Sequence, residues 1–347
     1  MNKHGGYQGK DKKMLDFSVN INPLGIPEGI REKLIAGIDE LVKYPEITGI
    51  SAIQKIADDL AVLPDNIILG NGAIELIYLF ARSMGPGKAL IVQPTFNEYE
   101  RALTLYGWEV VHHILNEENN FTINPESLAA VIRSEKPQSV FLCNPNNPTG
   151  RAYSNGFIRE MLEHSSPEIT WFLDESFMDF SEETGSLSLV KEAKKSVFIL
   201  KSLTKFYALP GLRIGYGVGV TPIIEKMESF KEPWTINALG LIAATGVYNE
   251  KDYAQKTKTY IHGERQRVFN ALSQIKTLKV YPSGADFHLC RLLTGTVAEL
   301  QIDLEKAGMS LRTCEDFMGL DHSYFRIAIK KEADNTKLLT FLKNWRN

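Results

Sequence analysis

Between Ile67 and Leu200 the chain returns six times to a short apolar run: Ile67-Ile-Leu, Ala89-Leu-Ile-Val, Glu109-Val-Val-His-His, Ser139-Val-Phe-Leu-Cys, Thr170-Trp-Phe-Leu-Asp and Val197-Phe-Ile-Leu. Helical segments separate most of them. Strands joined through helices rather than tight turns must run parallel, because each connection crosses a face of the sheet. The expected class is therefore α/β, a mainly parallel sheet sandwiched by helices. Ligands of such sheets sit beyond the carboxyl ends of the strands, where Asn144, Asp174 and Lys205 all fall.

At 347 residues the sequence exceeds one typical domain. Residues 1–28, rich in glycine and proline without a helical period, read as an arm that joins a small domain or the cleft. Residues 29–232 form the large domain. Within its first part, Ile30, Leu34, Ile38 and Leu41 have the spacing of one amphipathic helix over 26–41, ended by Tyr44-Pro45. Residues 233–347 read as a smaller α+β domain. It opens with a broken helical region over 238–275, and strand-like Lys279-Val-Tyr, Phe287-His-Leu-Cys-Arg and Tyr324-Phe-Arg-Ile-Ala follow.

The net charge of −3 gives no general attraction to nucleic acid or anionic lipid, so an anionic substrate needs a local cationic cluster. Cys143, Cys290 and Cys314 are widely separated and form no C-x-x-C pair, which disfavours a disulfide framework and a zinc site. No metal is expected. The first residues lack the apolar core of a signal peptide, and the longest apolar stretches fall well short of a bilayer of about 30 Å. A cytoplasmic enzyme without nucleic-acid or membrane partners is the expectation.

The segment Ser196–Tyr216 places Lys205 after an apolar strand and near the hydroxyls of Ser202 and Thr204, with Arg213 eight residues on. An amine for an aldehyde, and hydroxyls with a guanidinium for a phosphate, suit a cofactor that carries both groups. Alone, the segment fits a strand, a turn and two ordinary basic residues equally well. Strand, glycine turn and helix in Leu69-Gly-Asn-Gly-Ala-Ile-Glu75 make an anion site. Asp174, at the end of an apolar strand, is a carboxylate that is costly to bury without a partner.

These blocks match a known family in order along the chain. With His4-Gly-Gly, Asp16-Phe-Ser-Val-Asn-Ile-Asn-Pro-Leu-Gly25, Asn144-Pro-Asn-Asn-Pro-Thr-Gly150 and Asp174-Glu-Ser-Phe177, the sequence resembles the fold-type I pyridoxal-phosphate enzymes of the aminotransferase superfamily. The branch includes histidinol-phosphate aminotransferase. The H-G-G arm and Asn20-Ile-Asn-Pro-Leu-Gly25 turn are more similar to the threonine-phosphate decarboxylases of cobalamin synthesis. Phe177 agrees, since the aminotransferase pattern often has a tyrosine there.

The resemblance implies pyridoxal 5'-phosphate as cofactor, with Lys205 and Asp174 as catalytic residues. Asp174 would hold the ring nitrogen protonated. It implies Gly72, Ala73, Ser202, Thr204 and Arg213 around the cofactor phosphate, and Asn147 at the ring hydroxyl and the substrate carboxylate. Phe96 would stack on the ring, although a core phenylalanine reads nearly as well. Tyr44 would reach the partner subunit's cofactor phosphate, making a homodimer with shared active sites. Arg326 would grip the α-carboxylate, while Arg312, His4 and Asn20 would take a substrate phosphate. Their plainer readings are a surface salt bridge, a disordered terminal residue and a turn former. The implied reaction is decarboxylation of L-threonine O-3-phosphate to (R)-1-amino-2-propanol O-2-phosphate. The alternative is histidinol-phosphate aminotransferase, which shares every cofactor residue. A ligand-sensing regulator would need a DNA-binding domain, for which the sequence offers neither basic charge nor spare length.

Overall fold

The computed structural model describes residues 5–6, 14–183, 185–191 and 196–345. Seven strands form its central sheet, in the spatial order Ile67–Asn71, Ile214–Gly219, Val197–Ser202, Thr170–Asp174, Ser139–Cys143, Lys88–Gln93 and Glu109–Ile114. The last five run parallel to one another. Ile214–Gly219 is antiparallel to both of its neighbours.

That antiparallel strand was not among the expected runs, because alternate glycines depress strand propensity. Its glycines serve close approach instead. A Cβ on Gly215 would lie 2.8 Å from the Ala73 nitrogen and 2.8 Å from the Lys201 carbonyl, and one on Gly217 would strike the Phe198 ring. Ile214, Tyr216 and Val218 are buried between them in the sequence. The bare face lets the helix Ala73–Met84 begin directly against the sheet.

Strand periodicity of two sorts the core into two layers. On one face Phe141, Phe172 and Phe198 pack with Phe80 of the helix Ala73–Met84, and Phe141 and Phe172 stack at 4.7 Å. On the other, Val140, Leu142, Trp171, Leu173 and Ile199 face the rest of the chain. Each fully buried side chain of this size contributes about 1.5–3 kcal/mol relative to exposure.

The helix expected over 26–41 ends at Ala36 and continues as a 3-10 turn over Ile38–Val42. Gly37 breaks it, since a Cβ there would strike Ile242 of the helix Ala238–Gly246. Ile38 and Leu41, expected on the core face, are consequently exposed. Ala238–Gly246 packs on the helices Glu28–Ala36 and Ile50–Leu60, and the long helix Lys251–Leu272 then leads to a second sheet. That sheet is antiparallel, ordered Arg312–Thr313, Tyr324–Ala328, Phe287–Leu292 and Leu278–Val280.

The arm lies along this sheet. Leu15–Asp16 pairs with Met309–Ser310, and the Ala328 amide donates to the Phe17 carbonyl at 2.9 Å. The Asn22 amide then donates to the Lys205 carbonyl at 3.1 Å. Among the described residues no helix is long and apolar enough to cross a membrane.

Candidate active site

A cleft of about 630 Å³ opens at the carboxyl ends of the central strands, a volume suited to a cofactor with substrate. Asn20, Ala73, Phe96, Asn147, Asp174, Phe177, Thr204, Lys205, Arg213 and Arg326 all line it. Residues separated by some 300 positions thus converge as the sequence suggested.

Lys205 follows directly from the strand Val197–Ser202, in the short helix Leu203–Phe206. Its Nζ donates to Ser202 Oγ at 3.4 Å, and Ser202 shares a hydrogen bond of 2.8 Å with Thr204. Burial pushes the Lys205 amine below its ordinary value; Asp174 opposes the fall and Arg213 adds to it. A lowered amine is a better nucleophile and proton carrier near neutral pH.

Asp174 is buried at the end of its strand. Its Oδ1 accepts from the Ser176 amide at 2.8 Å, and its Oδ2 accepts from the Tyr99 hydroxyl at 2.5 Å. Burial, with Asp174 next, holds the Tyr99 phenol well above its ordinary value, so it stays a donor. Tyr99 was missed in the sequence, although its signal lay three residues after Phe96 at the start of the helix Glu98–Leu105. The two rings meet edge to face at 5.7 Å. Glu98 and Tyr78, also unanticipated, line the cleft joined by a 2.6 Å hydrogen bond.

In the Asn144–Gly150 turn, Asn144 and Asn146 are spent on the turn itself. Asn144 bonds the Tyr153 backbone at 2.8 and 2.9 Å, and Asn146 bonds the Pro94 carbonyl and Thr149 at 2.8 Å. Asn147 is left facing the cleft, where its Oδ1 accepts from an Arg326 terminal nitrogen. The other terminal nitrogen of Arg326 donates to the Ser18 carbonyl at 2.9 Å. Burial lowers the Arg326 guanidinium to about 10, and its plane lies over Phe287, 5.0 Å from the ring centre. Phe287 in turn meets Phe177 edge to face at 5.2 Å.

Other predicted residues stand apart. Arg312 lines a small adjoining cavity with Gly5, Phe96, Asn97, Asn147, Phe317 and Arg326, and its fork is paired with Asp316 at 2.7 and 2.9 Å. Tyr44 is exposed, packs on Trp234 at 5.5 Å and lines no wall of this cleft. Gly72, with φ of +74°, sits against the Arg213 guanidinium, which any Cβ there would strike. His4 lies outside the described residues.

The donor set fits pyridoxal phosphate. Arg326 Nε and Asn20 Oδ1 are buried at the cleft without hydrogen-bond partners among the described residues, an arrangement that a ligand would complete. The Ala73 helix start, Arg213, Ser202 and Thr204 can receive a phosphate, and Asp174 can receive a ring N–H. No group of acidic, histidine or cysteine side chains able to hold a metal occurs among the described residues.

A family model described as aminotransferase class I and II matches residues 12–342. The threonine-phosphate decarboxylase of Salmonella typhimurium is 35% identical, over 96% of this chain and 91% of that protein. The structure of histidinol-phosphate aminotransferase from Clostridium acetobutylicum superposes with a TM-score of 0.88 at 34% identity, covering 95% of this chain and 98% of that one. That of L-threonine-O-3-phosphate decarboxylase from Porphyromonas gingivalis gives 0.86 at 28% identity, covering 96% and 99%. With the family model spanning nearly the whole sequence, the chain belongs to the class I and II aminotransferase family.

Proposed function

We propose that the protein is a pyridoxal-phosphate enzyme that decarboxylates L-threonine O-3-phosphate to (R)-1-amino-2-propanol O-2-phosphate, in cobalamin synthesis. The observation that carries this reading is Arg326, a buried fork aimed into the cleft with Nε unpartnered and Asn147 beside it. A carboxylate is the natural occupant of such a fork. Support for decarboxylation comes from Phe177, which lines the cleft without a hydroxyl, and from relatives named for this reaction.

Bound pyridoxal phosphate supplies an aldehyde for the amine and an electron-withdrawing ring. Within that setting, Asp174 would keep a proton on the ring nitrogen, its geometry fixed by Tyr99 and the Ser176 amide. Arg326 and Asn147 would hold the substrate carboxylate so that the bond to carbon dioxide is the one that breaks, and Lys205 Nζ would deliver a proton to the α-carbon left behind. Were the α-hydrogen presented for removal instead, Lys205 would act as base and the outcome would be amino transfer.

Substrate phosphate recognition falls to Asn20, Arg312 and His4, with Arg312 shared between the phosphate and Asp316. We further propose a cytoplasmic homodimer. Ile35, Ile38, Leu41, Val42 and Ile47 are 68, 53, 53, 86 and 57% exposed, five apolar side chains interspersed with charged ones in one short segment that a second copy would cover. Tyr44 lies within it at 86% exposure, and in such a dimer its role would be to reach the partner's cofactor phosphate. Three free, buried cysteines suit a reducing compartment.

The deciding experiment incubates the cofactor-loaded protein with L-threonine O-3-phosphate and no keto acid, measuring carbon dioxide and amine phosphate. Release over many turnovers is expected. No release, together with amino transfer from glutamate to imidazole-acetol phosphate, would make the protein an aminotransferase.

A further inference from the structure

Asp286 precedes the strand Phe287–Leu292 and is fully buried, yet neither carboxylate oxygen has a hydrogen-bond partner on another residue among the described residues. It lines no wall of the cleft. Its backbone carbonyl accepts from the Ile329 amide at 2.7 Å, which sets it beside the strand of Arg326, and the next residue, Phe287, lies under the Arg326 guanidinium. Three cations act on it: Arg326 and Lys330 from that strand and its continuation, and Lys205 from the helix Leu203–Phe206. From the long helix Lys251–Leu272, Arg265 bonds the Ala285 carbonyl at 3.2 Å but turns its fork to Glu182.

An ionised carboxylate that no other residue hydrogen-bonds is costly at this depth and persists only where nearby cations offset the cost. Burial pushes the Asp286 carboxyl up to about 6, and Lys330, Arg326, its own backbone amide and Lys205 pull it the other way. Burial thus favours the neutral acid and the cations the ionised one, so its protonation depends on the charge at Arg326.

We propose that Asp286 is a charge-compensating positioning residue, which takes up a proton when a carboxylate fills the Arg326 fork and releases it when the carboxylate departs. A bound anion neutralises the cation that had favoured the ionised acid, so protonation becomes easier. By linkage, carboxylate affinity then rises as pH falls through this range. The inference rests on the reading of Arg326 as the carboxylate grip.

A suitable probe is 3-sulfopropionate, which has a carboxylate, a permanent second anion and no amine. Binding to the holoenzyme at about pH 6.5 is followed by calorimetry in buffers of different ionisation enthalpy, while the cofactor's absorbance accounts for any proton on Lys205. Proton uptake beyond that amount is expected. In Asp286→Asn, which preserves shape, this uptake and the accompanying pH dependence of affinity should disappear. The same uptake in the variant overturns the proposal. On the wild type alone, infrared difference spectra should gain the band of a buried protonated carboxylic acid when the probe binds, and its absence overturns the proposal too. Arg326→Gln separates the two readings. If it binds the probe as tightly as wild type, the carboxylate grip itself is wrong; if binding is lost while Asp286→Asn still takes up the proton, only the role of Asp286 fails.

Discussion

Replacing Arg326 with lysine keeps a positive charge in the cleft and removes the planar fork. In the wild type the two terminal nitrogens serve Asn147 and the Ser18 carbonyl, and Nε remains as the spare donor. A lysine ammonium is a point donor that cannot span the arm, Asn147 and a substrate at once. The loss of one charge-assisted hydrogen bond, about 1.5–3 kcal/mol, corresponds to about 10- to 150-fold in kcat/KM. The assay is carbon dioxide release at low substrate, paired with inhibition by (R)-1-amino-2-propanol O-2-phosphate. That product has lost the carboxylate and keeps the phosphate, so its inhibition constant should barely move. Equal weakening of substrate and product would refute the reasoning, since it would mean that Arg326 props the cleft rather than grips a carboxylate. A kcat/KM within about twofold of wild type would refute it as well.

Lys205→Ala should abolish turnover and the cofactor absorbance that depends on its amine, and a variant with full activity would end that assignment. Tyr99→Phe removes the hydroxyl that donates to buried Asp174; fluorescence titration of the apoprotein should show cofactor held about tenfold more weakly, and unchanged affinity would leave Tyr99 a packing residue only. Arg312→Ala should cost phosphothreonine more than plain threonine in kcat/KM, whereas equal losses would remove Arg312 from phosphate binding. Ile38→Asp with Val42→Asp places two charges on the exposed stretch and should shift the protein to monomers in analytical ultracentrifugation, with activity lost if Tyr44 serves a neighbouring site.

What could be read from the sequence was local. Asp174, Asn147 and Lys205 each follow an apolar strand within a few residues, so strand identity alone delivers them to one edge of the sheet. Tyr99, Ser18 and Asp286 owe their surroundings to partners about 40 or more residues away, and no local pattern announces such meetings. Arg312, which the resemblance offered as a phosphate ligand with a salt bridge as the plainer reading, also pairs with Asp316 four residues on, a partner that the sequence reading did not name. The strand Ile214–Gly219 hid because its glycines answer to neighbours, Ala73 and Phe198, that lie on other elements.

The arm carries a consequence for how the molecule is made. Ser18 must wait for Arg326, 308 residues later, before its carbonyl is bonded. At ordinary synthesis rates of about 5–20 residues per second, that interval is roughly 15–60 s. Throughout it Phe17, fully buried in the finished protein, has neither the Ala328 amide nor the second sheet to lie against. The central sheet can form while the ribosome is still working, but the proposed substrate grip is among the last things to exist. A nascent chain stalled near residue 300 would thus carry Phe17 and Ser18 without the partners that hold them in the finished protein.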